Sequence, residues 1–236
     1  MNRMRDLLDG ASVDSAVFDL RPDYRVLLIS VEGTEPGPSD AHSEQLLSRA
    51  EKSAREALAS TTVEDLPHIR AWRDAYRSFG ARPQRTRNSV EALTRRAESG
   101  LPRVNRLTDI YNAVSVLHQV PIGGEDLHHY DGPPRLIRAA GTEPFDTTVG
   151  GDPVTEHPER GEVVWVDDTA ITCRRWNWRQ GRRTQLTDDT TTTLFILDAL
   201  DPLTDDALIS AGDELVTHLR ELGPAVHAET RLIAAR

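Results

Sequence analysis

The chain of 236 residues holds a single cysteine, Cys173, and a single lysine, Lys52. One cysteine closes no intramolecular disulfide and builds no cysteine-based zinc site. No apolar run approaches the roughly 20 residues of a membrane-spanning helix. The opening stretch MNRMRDLLDGASVDSAV has no apolar centre of the kind that marks a secretory signal. These absences together favour a cytoplasmic protein with no membrane partner. Gly123-Gly124 and Gly150-Gly151 are isolated pairs. They match neither a phosphate-binding loop nor a dinucleotide fingerprint. The eight histidines are scattered, His128 and His129 are adjacent, and no His-Glu-x-x-His spacing occurs. No metal and no other cofactor is therefore expected. There is no Gly-x-Ser-x-Gly elbow. Cys173 lies in a β-rich run and reads as a small apolar filler rather than a nucleophile.

What the chain does have is an ordinary globular balance, 38% hydrophobic and 28% charged residues. Its length suits one sizeable domain, and no linker divides it. The net charge of -10 argues against a general nucleic-acid binder, yet the charge is uneven. Residues 70–106 carry 10 basic and 3 acidic groups, and residues 170–187 carry 5 basic and none acidic. The rest of the chain is acidic. All the basic groups in these two islands are arginine, the side chain suited to bidentate phosphate or carboxylate contact.

Hydrophobic spacing predicts the elements. Residues 16–20 and 25–31 read as strands, the second a continuous apolar run suited to burial. Amphipathic helices are expected at 43–59, from Pro67 to near Gly80, at 89–99 with Ser89 as N-cap, and at 105–117. Residues 82–87 form a basic loop. From Pro121 the texture turns to glycine, proline and β-branched residues, opening with a Pro-Gly-Gly turn. Strands are expected at 136–140, 162–167, 170–174 and 190–197, and a last helix at 205–222. Helices early and strands late, without regular alternation, define the expectation: an α+β single domain with a mixed β-sheet flanked by helices.

Residues 105–138 carry the chemistry. Asn112 lies among apolar residues of a helix and must find partners. It suits holding a hydroxyl or an ester carbonyl, or bonding a neighbouring loop. Gly123-Gly124 either lets backbone N–H groups approach a ligand or makes a turn. Asp126 is a base, an acceptor or a helix cap. The order of these residues resembles the B3/B4 domain, the editing module of the bacterial phenylalanyl-tRNA synthetase β subunit. Asp109-Ile110-Tyr111-Asn112 leads over nine residues to Pro121, and Asp126-Leu127 follows five residues later. A short strand, Leu136-Ile137-Arg138, comes next. Gly161–Asp167, Ala170-Ile171-Thr172 and Thr187–Thr193 look like the family's later strands and threonine turn. Trp72-Arg73 and Arg174-Arg175-Trp176-Asn177 resemble runs in its free-standing members. The resemblance covers about residues 70–200.

What the resemblance implies is hydrolysis of the ester joining a wrong amino acid to tRNA, in a pocket between the helix ending near this loop and the mixed sheet. The residue matching Asn112 lines that pocket in the synthetase. Where the synthetase carries a pocket histidine, this chain has Gly123, which removes one polar wall against a tyrosine-like substrate. The family is thought to position water with help from the terminal ribose, without a dedicated base.

On that footing the expected catalytic set is Asn112, Gly123, Gly124 and Asp126. The substrate-binding set is Asn112, Asp126, Arg138, Arg174 and Asn177. In it the asparagines orient water or ester, the glycine N–H groups meet the oxyanion, and Asp126 holds the substrate ammonium. The tRNA acceptor end is expected on Arg82, Arg85, Arg87, Arg175, Trp176, Arg179, Arg182 and Arg183, since arginine interleaved with aromatics fits single-stranded RNA. Translation proteins are expected as transient partners. Two other readings remain open: a non-catalytic tRNA- or aminoacyl-binding module, and a hydrolase of small amino-acid derivatives.

Overall fold

The structure, a computed structural model, describes residues 3–235. Its helices are α1 (Arg3–Gly10), α2 (Ser15–Leu20), α3 (Ala41–Ala57), α4 (Pro67–Ser78), α5 (Ser89–Arg96), α6 (Arg106–His118) and α7 (Asp205–Arg220). Its strands are β1 (Ser12–Val13), β2 (Arg25–Glu32), β3 (Ile122–Asp126), β4 (Arg135–Arg138), β5 (Phe145–Val149) and β6 (Asp152–Glu156). They continue with β7 (Val163–Val166), β8 (Ile171–Arg174), β9 (Arg179–Gln180), β10 (Thr192–Ala199) and β11 (His227–Ala234). The α+β class is as expected, but the strands divide. One antiparallel sheet has the order β11-β2-β10-β3. A mixed sheet has the order β1-β4-β7-β8-β9, with β1 parallel to β4. The strands β5 and β6 pair as a hairpin.

The apolar run of β2 makes sense once both faces of its sheet are covered. Leu27, Ile29 and Val31 of β2, with Phe195 and Leu197 of β10, pack on α3, α6 and α7. Gly212 lets α7 close on β2, because a Cβ there would lie 2.5 Å from Leu27 Cδ2. Val26, Leu28, Leu194 and Ile196 face the other way, onto Trp72 and Tyr76 of α4 and Trp165 of β7. Each such side chain, fully buried, is worth about 1.5–3 kcal/mol. The antiparallel sheet is thus the middle layer of three.

Local chemistry sets the ends. Asp40 accepts from the Ser43 N–H while the Ser43 hydroxyl takes the Asp40 N–H, a reciprocal box that starts α3. Asn105 caps α6 through the Thr108 N–H, and Asn88, not Ser89, caps α5 through the Glu91 N–H at 2.8 Å. Residues 15–20 are helical where a strand was expected, because Asp14 accepts the Ala16 N–H and opens a turn.

The Pro-Gly-Gly turn is also corrected. Gly123 and Gly124 lie inside β3, opposite Ile196 and Phe195. Asp198 N–H donates to the Pro121 carbonyl at 3.1 Å, which fixes the alternation. Gly123 and Glu125 turn their peptide groups to β10, while Gly124 and Asp126 turn theirs to the outer edge. There Gln180 Nε2 donates to the Gly124 carbonyl at 2.8 Å, and Asp126 N–H donates to Thr184 O at 2.9 Å.

The two glycines are not equivalent. A Cβ on Gly124 would meet Leu186 Cδ1 at 2.9 Å, Tyr111 Cε1 at 3.0 Å and Phe195 Cε1 at 3.1 Å. A Cβ on Gly123 would meet nothing within 4 Å. Gly124→Ala should therefore lose about 1–3 kcal/mol through overpacking. Gly123→Ala should unfold with a midpoint at or near wild type. Urea denaturation of the two variants side by side measures the difference.

Candidate functional site

The space beside Gly123 belongs to a cavity of about 280 Å³. Strand alternation places Gly123, Glu125, Ile196 and Asp198 on one face of the antiparallel sheet, and all four line it. Tyr111 and Asn112 of α6, Ser89, Ala92 and Leu93 of α5, and Trp165 and Cys173 of the mixed sheet close the walls. The reverse turn at residues 175–178 supplies the mouth. Arg175 and Trp176 there both have left-handed backbones, with φ of 47° and 67°, a conformation bulky side chains rarely adopt. The pair turns the Trp176 indole inward, against Tyr24 at 5.0 Å and Trp72 at 5.3 Å between centroids. Trp178 stays at the rim, with Arg175 4.5 Å from its ring centre.

Two carboxyl groups set the electrostatics. Asp198 accepts from the Tyr24 hydroxyl at 2.6 Å and from Asn177 Nδ2 at 3.2 Å. Asn177 Oδ1 accepts from the Tyr76 hydroxyl at 2.9 Å. Glu125 accepts from the Tyr130 hydroxyl. Neither acid is ion-paired among the described residues. Burial accordingly pushes Glu125 up to about 7 and Asp198 up to about 7, the hydroxyl and amide donors offsetting only part of the penalty. Cys173 stays a thiol, because burial and then these two acids push it well above the ordinary thiol value. Ser89 Oγ and Trp165 Nε1 are buried without a protein partner, and the Asn112 side chain makes no hydrogen bond among the described residues. Such a set offers donors and acceptors to a polar ligand held among aromatic walls.

The expected site residues divide. Asn112, Gly123 and Asn177 line the cavity, and so does Arg179. Gly124 lies behind the wall, close-packed, with its carbonyl on Gln180. Asp126 is not a lining residue. Its Oδ1 accepts from the His128 N–H at 2.8 Å and its Oδ2 from the Thr190 hydroxyl at 2.7 Å, so it caps a short 3₁₀ turn. Arg138 donates to the Gly161 carbonyl at 2.6 Å. Arg174 is buried in a two-pronged contact with Glu162, at 2.8 and 2.9 Å, and a third with Glu156. These four positions hold the scaffold. Glu125, Asp198, Ser89 and Tyr111 were missed. Reading β3 as a strand would have found Glu125, and an acid inside the apolar run FILDAL marked Asp198.

The arginines divide too. Arg82, Arg85, Arg87 and Arg182 are exposed. Arg175 is held by Glu162 and Thr86, and Arg183 by Asp167 and the His129 carbonyl. Trp176 as an RNA-stacking residue is corrected: its side chain is fully buried in the aromatic core, and Trp178 is the tryptophan at the rim. Far from the cavity, His42, His218 and Glu221 come together across α3 and α7, where both histidines contact the Glu221 carboxylate. No helix of the described residues is long and apolar enough to cross a membrane.

The profile of the B3/4 domain matches residues 71–209. That match takes in more than half of the sequence, and the chain belongs to the B3/4 domain family. Among solved structures the chain is similar to an N-terminal fragment of the phenylalanyl-tRNA synthetase beta subunit from Pyrococcus horikoshii. The identity is 17% and the TM-score 0.48, over 94% of this chain and 50% of that one. The chain therefore spans half the length of that fragment. No curated protein matches it.

The raised carboxyls make a stability prediction. In the fold both stay protonated to about pH 7, whereas in an unfolded chain they ionise near pH 4. Unfolding then releases protons between these values. The contribution is most favourable below about pH 4 and is lost as pH rises through about 7. Glu125→Gln keeps an oxygen for the Tyr130 hydroxyl and removes one titration. Denaturation at pH 4.5 and 7.5 should show a smaller loss in the variant, by an amount on the order of 2–4 kcal/mol.

Proposed function

We propose that this chain deacylates mischarged aminoacyl-tRNA in trans, by attack of water on the aminoacyl ester within the cavity. The carrying observation is the pairing of two unneutralised carboxyls with an unengaged Asn112 in one aromatic-walled space. An aminoacyl ester brings the ion-pair partner that neither acid has among the described residues. Its ammonium is a cation for Glu125 and Asp198. Opposite charges attract strongly where water is excluded, and their meeting draws both acids into the ionised form. The amino-acid side chain meets Trp165, Ile196 and the open volume beside Gly123. Asn112 Nδ2 is a donor for the ester carbonyl and for the charge that develops on it. This role falls to Asn112 because the Gly123 N–H is committed to β10. A carboxylate so ionised also stands in the right form to accept the proton of the attacking water.

Family membership supports the reading, since the family includes the beta subunit of a tRNA synthetase. The exposed arginines Arg82, Arg85, Arg87 and Arg182 supply charge for the RNA. Asp126, committed to its turn, passes the ammonium to Glu125 and Asp198.

The test is a panel of tRNAs carrying correct, incorrect and D-amino acids, with ester loss followed against a protein-free control. Rapid loss from one or a few mischarged species is expected. Asn112→Ala should lower kcat/KM on them by about 10²-fold if one transition-state donor is removed. Asp126→Ala should instead lose about 1–2 kcal/mol of stability with its cap, its lost activity paralleling lost folded protein. No ester loss from any species, with tRNA still bound, would favour the binding-module reading.

A further inference from the structure

Outside the cavity mouth lies a second hollow, of about 410 Å³, lined by Arg85, Arg87, Arg95, Arg96, Ala92 and Trp178. Ala92 and Trp178 line the cavity as well, so the two spaces share a wall. Helix α5 runs along both. Ser89 faces the cavity, Ala92 faces both spaces, and Arg96 faces the outer hollow. These positions recur at helical spacing on one stripe. Seven residues of helical rise separate Ser89 from Arg96, about 10 Å, a distance on the scale of a nucleotide.

The hollow is under-neutralised. Its carboxylates are Glu91, buried beneath it, and Glu64 beside it. Glu91 Oε1 takes Arg73 at 2.6 Å, Arg95 at 3.2 Å and Arg87 at 3.8 Å, and Glu64 takes Arg95. Three arginines thus share two acids, and Arg85 and Arg96 stand beside them. Among the described residues Arg85 and Arg96 have no ion pair at all, in a chain whose other arginines are mostly paired. Trp178 adds an aromatic wall, on which the Arg175 guanidinium already rests.

We propose that this arginine hollow binds a phosphodiester of a single-stranded RNA 3′ end, so that the terminal ribose reaches the cavity next door. The inference rests on the deacylase reading and names how the substrate enters. Arg85 and Arg96 contact phosphate oxygens. Arg87 and Arg95 stand behind them, held by Glu91, and Trp178 offers a face to a terminal base. Nothing here reads sequence, because every contact is to charge or to a ring face.

The test uses a fluorescent RNA hairpin ending in a four-nucleotide 3′ overhang and the same hairpin with a blunt end. Affinity is measured over a range of salt. Wild type should prefer the overhang. Arg85→Glu and Arg96→Glu should each weaken overhang binding about tenfold or more at low salt, and each should flatten the salt slope by about 1. Arg220→Glu, an exposed position on α7, makes the same charge change elsewhere and should alter binding little. Equal loss in Arg220→Glu would show net charge alone at work and overturn the proposal. Equal binding of blunt and overhang RNA, or no RNA binding at all, would overturn it too. Deacylation by the panel above is a separate readout. Ester loss at wild-type KM in the Arg85 and Arg96 variants sinks the hollow and spares the deacylase. Overhang binding that needs both arginines, with no ester loss, does the reverse.

Discussion

One buried polar chain holds the site together: the Tyr76 hydroxyl to Asn177 Oδ1, Asn177 Nδ2 to Asp198, and the Tyr24 hydroxyl to the same carboxyl. It joins α4, the turn after β8, β10 and the residue just before β2, which are far apart in the sequence. A buried carboxyl left without partners costs several kcal/mol, so each member needs the others in place. The strained turn at Arg175 and Trp176 is the local cost of completing it. That turn brings Asn177 to Asp198 and sends Trp176 into the core between Tyr24 and Trp72. Such strain persists only where the surroundings over-determine it, and here aromatic packing and two hydrogen bonds do so.

The same chain explains the character of the cavity. All of its donors to Asp198 are neutral. They soften the burial of a carboxylate without cancelling it, so the group stays near pH 7 rather than near 4. Arg174 shows the alternative. It too is buried, but Glu162 and Glu156 neutralise it fully, and it offers nothing further to a ligand. Glu125 and Asp198 therefore stand out less by being buried than by having no cation. Burial without a cation is what raises both groups to about 7, and it is this pair on which the proposed binding of an ammonium rests.

The sequence disclosed much of the frame. The continuous apolar run at 25–31, the helical stripes at 43–59 and 105–117 and the final helix each correspond to an element within a few residues, because their faces are decided by local periodicity. The losses have a common cause. Gly123-Gly124 reads as a turn when neighbours alone are counted, yet Phe195 and Ile196, more than 70 residues further along, pair with it. Once β3 is a strand, its alternation turns Glu125 toward the cavity and Asp126 away from it. The acid expected at the site, Asp126, is the one that faces away, and its neighbour Glu125 lines the cavity instead. Trp176 and Trp178 behave alike. Both sit among arginines in the sequence, and only the left-handed turn between β8 and β9 decides that one is core and the other rim. Asn112 was legible because its helix was legible.

Arginines outside the mouth and titratable carboxyls inside it give the arrangement a consistent physical logic. With a net charge of -10, the chain as a whole repels a polyanion. At physiological salt that repulsion is screened beyond about 8 Å, so a local arginine surface governs whatever comes within contact range. Screening also limits the attraction to a few close phosphates, which favours a short chain end over the body of a duplex. The acidic interior then discriminates a second time. A phosphate drawn to the rim gains nothing by going deeper among carboxyls, whereas a cationic amine does. On the proposed reading, the two surfaces sort one molecule by its parts, holding the anionic strand outside and admitting the aminoacyl group.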